Sequence, residues 1–146
     1  MTVADDLASY LFALDSRSLT TGATTTHITR AILAWAVERG WLARTEARVV
    51  APNDVDGAVA IGFVDVVIRR GGSLADVVIE IDSTDKQWSL AKLRHAARAG
   101  MHAIWIRWGE ETWAGAYDDV DVIQLPVARR TAARAGLLGQ LTLWTP

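Results

Sequence analysis

Two runs of β-branched residues, joined by a short glycine-containing turn, constrain the fold of this chain more than any other feature. In the segment GFVDVVIRRGGSLADVVIEIDS, residues 62–83, both runs are rich in Val and Ile, and RGGS lies between them. A two-residue turn whose first central residue is glycine suits an antiparallel hairpin. The pattern therefore predicts paired strands over 58–69 and 74–82.

Apolar residues at helical spacing on both sides of this hairpin predict helices, and further period-two segments predict strands. The predicted helices cover residues 3–15, 27–39, 85–99 and 128–138, and the other strands cover 44–51, 102–108 and 120–125. Thr25 or Thr26 is predicted to cap the second helix, and Ser83, Thr84 or Asp85 the third. Gly40 and Gly100 are predicted to end these two helices.

The order of these elements predicts the topology. Three consecutive strands indicate an antiparallel meander, and the helix over 85–99 acts as a right-handed crossover that makes the third and fourth strands parallel. We therefore expect an α/β fold, with a mixed central β-sheet flanked by helices. Its αβββαβ core has an extra N-terminal helix and a C-terminal strand and helix. The 146 residues form one domain, with a core over 27–108, an N-terminal part over 1–26 and an extension over 109–146.

Composition narrows the function classes. The chain has no cysteine, so disulfides and thiolate metal sites are excluded. Neither a signal peptide nor a membrane span is recognisable, so we expect a cytoplasmic protein without a membrane partner. The net charge is −2, so a surface that binds nucleic acid would have to be a local one.

Three carboxylates interrupt the apolar strands of the hairpin. Because side chains alternate along a strand, Glu80 and Asp82 share one face. A turn with Gly72 in its first central position places Asp65 directly opposite Glu80, with Cβ atoms about 5 Å apart. A turn one residue earlier shifts the partner to Val78 but keeps the face. The same alternation predicts that Asp65 shares its face with Phe63 and Val67.

Carboxylates this close raise one another's pKa unless a cation lies between them. Oxygen-only ligands suit Mg²⁺ or Mn²⁺, and such a site can activate water and neutralise charge on a phosphodiester. The sequence therefore predicts that Asp65, Glu80 and Asp82 bind Mg²⁺ or Mn²⁺. The alternative is that these acids face solvent or pair with arginines, for which there are four candidates: Arg69, Arg70, Arg94 and Arg107.

The helix after the hairpin is basic. Beyond Asp85 it carries five basic residues and no acid: Lys86, Lys92, Arg94, His95 and Arg98. Phosphate contacts from such a helix would position DNA without reading its sequence. The alternative is that basic residues near the helix C-terminus complement the helix dipole.

At these residues the chain resembles the PD-(D/E)XK nuclease superfamily. That superfamily has an αβββαβ core, with an Asp on the second core strand and (D/E)-x-K on the third. The resemblance covers about residues 27–108, with Asp65 as the first motif and Glu80-Ile81-Asp82 at the second. It implies a Mg²⁺-dependent endonuclease acting on DNA, in which a metal-bound water attacks the phosphodiester. By analogy with nucleases of this size, it also implies that two copies could pair as a homodimer.

One departure from the motif changes what the resemblance implies. Asp82 stands where the family has lysine, which is similar to the Glu-x-Glu variants of some restriction enzymes. A lysine from the following helix could take its place, and we expect Lys86 rather than Lys92. The family often adds another acid, and we expect Glu46 rather than Glu38. The missing lysine leaves open a catalytically inactive module that acts in nucleic-acid binding or protein interaction.

Overall fold

A computed structural model describes residues 1–13, 21–52, 59–109 and 115–126 of the chain. These ranges contain the following elements in chain order: α1 (Val3–Phe12), α2 (Thr21–Glu38), β1 (Leu42–Pro52), β2 (Val59–Arg69), β3 (Val77–Asp82), α3 (Gln87–Arg98), β4 (His102–Gly109) and β5 (Val120–Pro126). The helix predicted over 128–138 lies outside the described residues. No helix in the described ranges is long and apolar enough to cross a lipid bilayer.

The strands form one mixed sheet in the order β1-β2-β3-β4-β5. β2 is antiparallel to both β1 and β3, whereas β4 is parallel to both β3 and β5. The predicted meander and the α3 crossover are therefore confirmed, and so is the α/β fold class. The parallel pairing of β4 with β5 adds a second parallel ladder that the sequence pattern did not specify.

The helix ends were predicted better from glycine than from capping side chains. Gly40 and Gly100 have φ values of +72° and +88°. After α3, the N–H of Met101 donates to the carbonyl of Ala96 at 3.1 Å. This pattern is typical of helices that end at a left-handed glycine.

Both predicted N-caps were wrong. α2 begins at Thr21, so Thr25 lies inside the helix, where its hydroxyl accepts a hydrogen bond from the Trp108 indole at 3.2 Å. At α3 the N-cap is Lys86, which makes no side-chain capping bond. The Asp85 carboxylate binds Gln87 and Arg107 instead. Tertiary partners compete here with the helix end for the same polar side chains.

The hairpin turn matches one of the two predicted geometries. Leu74 donates its N–H to the carbonyl of Gly71 at 3.3 Å, so Gly72 is the first central residue, with φ +60°. β3 begins only at Val77, three residues later than predicted. The side chain of Arg70 binds the carbonyl of Ala75 at 2.8 Å across the intervening loop.

The helices divide the sheet into two faces. α1 and α2 cover one face, here called the α1/α2 face, and α3 covers the other, here called the α3 face. Among the described residues, eighteen buried apolar ones form the core of the α1/α2 face, including Leu11, Trp35, Ile79 and Ile104. A smaller cluster, including Leu93 and Trp105, lies beneath α3. Alternation along β3 and β4 sends successive side chains to opposite clusters.

Every buried charged residue in the described parts of the chain lies on the α3 face. Glu80 and Asp82 alternate along β3 with Ile79 and Ile81, which face α1 and α2. The other two charged residues come from α3 and β4: Lys92 and Arg107. Burying charge lowers stability unless partners compensate it. The α3 face is therefore where a functional site is expected.

Candidate active site

β2 and β3 separate at Asp65. Their antiparallel pairing ends at Val66 opposite Ile79. This is the register that was predicted from the turn, but the next pair in it, Asp65 with Glu80, is not formed between the backbones. Here a side chain takes the place of a backbone acceptor: Oδ2 of Asp65 accepts a hydrogen bond from the N–H of Ile81 at 2.7 Å. The fork thus holds one carboxylate against the backbone of β3, next to a second one.

The neighbouring pair of β1 and β2 is irregular at the same level. Thr45 pairs with Val66 and Ala47 pairs with Val64, but no pairing joins Glu46 and Asp65 between them. Glu46 has φ +51°, in the left-handed region that non-glycine residues seldom adopt. Strained backbone of this kind is found preferentially at functional sites.

This irregularity overturns part of the predicted side-chain alternation. Val64 packs beneath α3, whereas Val66, two residues later, packs under α1 and α2. Phe63 is 58% exposed, while Val67 packs against the cluster under α3. Phe63, Asp65 and Val67 therefore do not share one face, because the strand changes its facing at Asp65.

A buried lysine joins the acid pair. Lys92 is 7% exposed and Glu80 is 3% exposed. The Lys92 Nζ lies 2.6 Å from Oε1 of Glu80 and donates to the carbonyl oxygen of Phe63, also at 2.6 Å. Burial raises the pKa of Glu80 to about 8; the bond from Lys92 opposes this shift, and the Asp65 carboxylate adds to it. Asp65, Glu80 and Lys92 are called the acid–lysine cluster below.

The lysine of this cluster is not the one preferred from sequence. Lys86 is 64% exposed, and its Nζ lies 3.6 Å from Oδ1 of Asp82. Helical spacing held the signal for Lys92, because it lies three residues after Ser89 and four before Ala96, both of which are buried. A lysine within the inward stripe of an amphipathic helix needs a buried partner, and Glu80 is that partner here.

Asp82 is held by an indole. Trp105 Nε1 donates to Oδ2 of Asp82 at 2.8 Å. The guanidinium of Arg107 lies 4.3 Å from the Trp105 ring centroid and reaches Asp85 at 3.1 Å. Because Glu80 pairs with Trp105 and Asp82 with Arg107 across the β3–β4 ladder, these side chains come to the same face. Trp105 therefore positions Asp82 as well as filling the core.

The basic residues of α3 do not form the single basic surface that was predicted. Lys92 points inward to Glu80, whereas Arg94 lies 3.7 Å from Asp119 and over the Tyr117 ring. His95 and Arg98 are exposed. Residues on a helix are spread by about 100° per position, so positions 92, 94 and 95 meet different surroundings.

The two further acids considered from sequence lie in different places. Glu46 is exposed and occupies the register position opposite Asp65. Glu38 accepts a hydrogen bond from Tyr10 at 3.3 Å, at the contact between α1 and α2. Of the two, only Glu46 lies beside the strand fork, which keeps it as the candidate for an additional acid.

The donor atoms of the cluster suit a hard divalent cation. Asp65 and Glu80 offer oxygen ligands only, and their mutual repulsion would be relieved by a cation between them. In the described ranges, no three histidine, aspartate or glutamate side chains lie together as a ready-made ligand group. Asp82, the third predicted ligand, has Trp105 and Lys86 as its partners.

Comparison with known proteins yields no relative. No protein-family model, no curated protein and no solved structure matches the chain. The resemblance to PD-(D/E)XK nucleases therefore rests on the chain's own residues, and it stays a hypothesis.

Proposed function

We propose that this chain is a metal-dependent DNA endonuclease that hydrolyses phosphodiester bonds. The observation that carries the proposal is the acid–lysine cluster at the fork between β2 and β3. In this cluster Glu80 and Lys92 are buried and Asp65 is half-buried. A buried carboxylate–lysine pair stabilises a fold less well than apolar residues of similar volume. Groups with strongly shifted pKa values, held in place by specific partners, are typical of catalytic sites.

Each residue of the site has a role that suits its surroundings. Asp65 and Glu80 would hold Mg²⁺ or Mn²⁺, which when bound supplies an activated water and neutralises charge on the phosphate. Asp82, fixed by Trp105, accepts a proton from the attacking water or orients it. Lys92 donates to a phosphate oxygen as negative charge develops there. The water oxygen bonds to phosphorus while the bond to the leaving oxygen breaks, and that oxygen takes up a proton.

The position of Lys92 supports its assignment over Lys86. In the family motif the lysine lies next to the second acid, and here Lys92 Nζ is 2.6 Å from Glu80. Lys86 lies 3.6 Å from Asp82 and is mostly exposed, so water screens its charge. Lys92 on α3 thus places a lysine next to Glu80 in space, although β3 itself has Asp82 where the family motif has lysine.

A second candidate is a catalytically inactive module of the same fold that binds nucleic acid. It is favoured by the existing pairing of the charges. Lys92 already compensates Glu80, and Asp82 is bound by the Trp105 indole. In this alternative the cluster would hold the fork together, and the protein would bind DNA without cleaving it.

Cleavage assays with matched variants test the proposal. Plasmid, single-stranded and branched DNA are incubated with wild type in Mg²⁺ or Mn²⁺. We expect cleavage that falls by about 100-fold or more in Asp65→Asn and Lys92→Met, because each loses a group that acts in the transition state. Asp118→Asn changes an exposed carboxylate outside the site and should cleave like wild type.

Two outcomes would contradict the proposal. If wild type cleaves none of the three substrates with either metal, the inactive module is favoured. If Asp65→Asn cleaves as well as wild type, the acid–lysine cluster is not the catalytic site. Lys86→Met distinguishes the two lysines. Cleavage should depend on Lys92, which belongs to the acid–lysine cluster, and should not depend on Lys86. Circular dichroism of each variant establishes that a lost activity does not reflect unfolding.

A further inference from the structure

A groove runs along the α3 face beside the acid–lysine cluster. It has a volume of about 520 Å³ and lies between β1 and the C-terminal half of α3. Lys92 lines the groove and also contacts Glu80, so the groove leads to the cluster. A cavity of this size lies within the range of small-ligand and cofactor sites.

The floor of the groove is aliphatic. It is lined by short apolar side chains from three strands and α3: Ala47, Val49, Val67, Val78 and Ala96. Three of the few large apolar residues that are exposed in the described chain also line it: Leu42 at 75%, Val50 at 48% and Met101 at 37%. Apolar surface left open in a concave site gains free energy when a ligand covers it.

The surroundings of this floor are cationic. Arg44 and Arg69 line the groove from β1 and β2, and His95 lines it from α3. Asp76 is the one acid among the lining residues described. Within the described ranges, neither of these arginines forms an ion pair with another residue. An anionic ligand with an apolar part therefore matches both the charge and the floor.

The unusual backbone at Glu46 contributes to this shape. Ala47 and Val49 after it pack against the cluster under α3, whereas Ala43 before it packs against the core of the α1/α2 face. Leu42 and Arg44, the neighbours of Ala43, therefore lie on the groove side as well. Strict alternation along an uninterrupted strand would send one of these pairs to the opposite side of the sheet. The left-handed residue between them lets both segments of β1 contribute to one surface.

We propose that the groove binds unpaired nucleotides of a DNA strand and leads that strand to the acid–lysine cluster. The inference rests on the proposed function and names its substrate class, DNA with a single-stranded region. Phosphates would contact the arginines, while a base face that is not stacked would cover the aliphatic floor. In a duplex the base faces are already stacked on one another, so the floor would gain nothing from them.

Fluorescence anisotropy without metal ions tests the groove independently of catalysis. The probe is a fluorescein-labelled oligothymidylate of about ten nucleotides, compared with a blunt duplex of the same length. Chelator is present throughout, so no cleavage takes place. We expect the single strand to bind wild type about tenfold more tightly than the duplex, because only the single strand can cover the apolar floor.

Salt dependence assigns the contacts to individual arginines. Arg44→Ala and Arg69→Ala should each reduce the slope of log K against log salt by about 0.7, the value for one phosphate contact with a single strand. Arg30→Ala is the matched control, because Arg30 is exposed on α2 and does not line the groove. Its slope should equal that of wild type.

The outcomes separate this inference from the proposed function. Tight binding of the single strand with the arginine effects, but without cleavage when Mg²⁺ is added, supports the groove and argues against the nuclease. Equal affinity for duplex and single strand, or slopes unchanged by Arg44→Ala and Arg69→Ala, overturns the groove, even if wild type cleaves DNA. Circular dichroism and urea unfolding of each variant keep these readings separate from misfolding.

Discussion

The two faces of the sheet bury different kinds of side chain. On the α1/α2 face, aliphatic and tryptophan side chains fill the space, and the main ion pair, Arg39 with Asp6, lies at the edge with each side chain about 30% exposed. On the α3 face, Glu80 and Lys92 are almost completely buried and contact each other. Alternate residues of the same strand, β3, contribute to the two faces.

This difference indicates which face stabilises the fold and which one carries a function. Apolar burial on the α1/α2 face stabilises the domain without partners or a particular pH. Burial of charged side chains on the α3 face does not increase the stability of the fold. Its effect on the free energy of unfolding changes with pH, because these side chains gain or lose protons. The irregular residue Glu46 lies beside the acid–lysine cluster, Asp65 belongs to that cluster, and neither residue is part of the apolar core.

The largest effect on stability is expected on the α1/α2 face. Ile104→Ala should lower the free energy of unfolding by about 4 kcal/mol, because Ile104 is fully buried and the change leaves a cavity. Urea unfolding at about pH 6 and about pH 9 should give the same loss, since no titrating group is involved. Ile104→Val, the control, should lose about 1 kcal/mol. If the loss of unfolding free energy in Ile104→Ala changed strongly with pH, the two faces would not differ in the way described.

Lys92→Met should show the opposite behaviour on the α3 face. Above the pKa of Glu80 it leaves a buried carboxylate without its cation, and we expect a loss of about 3 kcal/mol at about pH 9. At about pH 6 Glu80 is protonated, so the loss should be much smaller. Urea unfolding at the two pH values measures the difference. Identical losses at both would show that Lys92 acts by packing alone.

Glu80→Gln should stabilise the metal-free protein at high pH. The folded pKa of about 8 lies above the ordinary value of 4.5, so the native state binds the extra proton between these values. Stability therefore falls as pH rises through this window, and the fall is complete above about pH 8. The amide removes this fall and should add about 2 kcal/mol at about pH 9. Unfolding curves across the window measure it, and an unchanged pH slope would contradict the assignment.

Lys86→Met should have the smallest effect. Its ammonium is mostly exposed and 3.6 Å from Asp82, so we expect a change within about 0.5 kcal/mol at any pH. Thermal unfolding of Lys86→Met and of Lys92→Met, measured under the same conditions, compares the only two lysines of the chain. A loss from Lys86→Met as large as that from Lys92→Met would mean that exposure does not distinguish them.

Local chemistry made most of the fold predictable. Gly72 specified the turn, and with it the register that leads from Asp65 to Glu80. Glycines that need a positive φ marked the ends of α2 and α3. The N-caps were missed because Thr25 and Asp85 bind partners that are distant in sequence, and nothing local indicates such partners.

The site was predictable in its acids and less so in its geometry. Alternation placed Glu80 and Asp82 on one face, as observed. It failed at Phe63, because the change of facing at Asp65 depends on the backbone of a neighbouring strand at Glu46. The preference for Lys86 over Lys92 did not use the helical period, which places Lys92 on the buried side of α3.

The most direct test of the account is a calorimetric titration of the protein with Mn²⁺, together with its melting temperature. Wild type should bind Mn²⁺, and its Tm should rise with metal concentration, since a ligand that binds only the native state stabilises it. Asp65→Asn should lose both effects, whereas Asp118→Asn should retain them. No binding heat and an unchanged Tm for folded wild type would contradict the claim that the charged face of the sheet is a metal-dependent catalytic site.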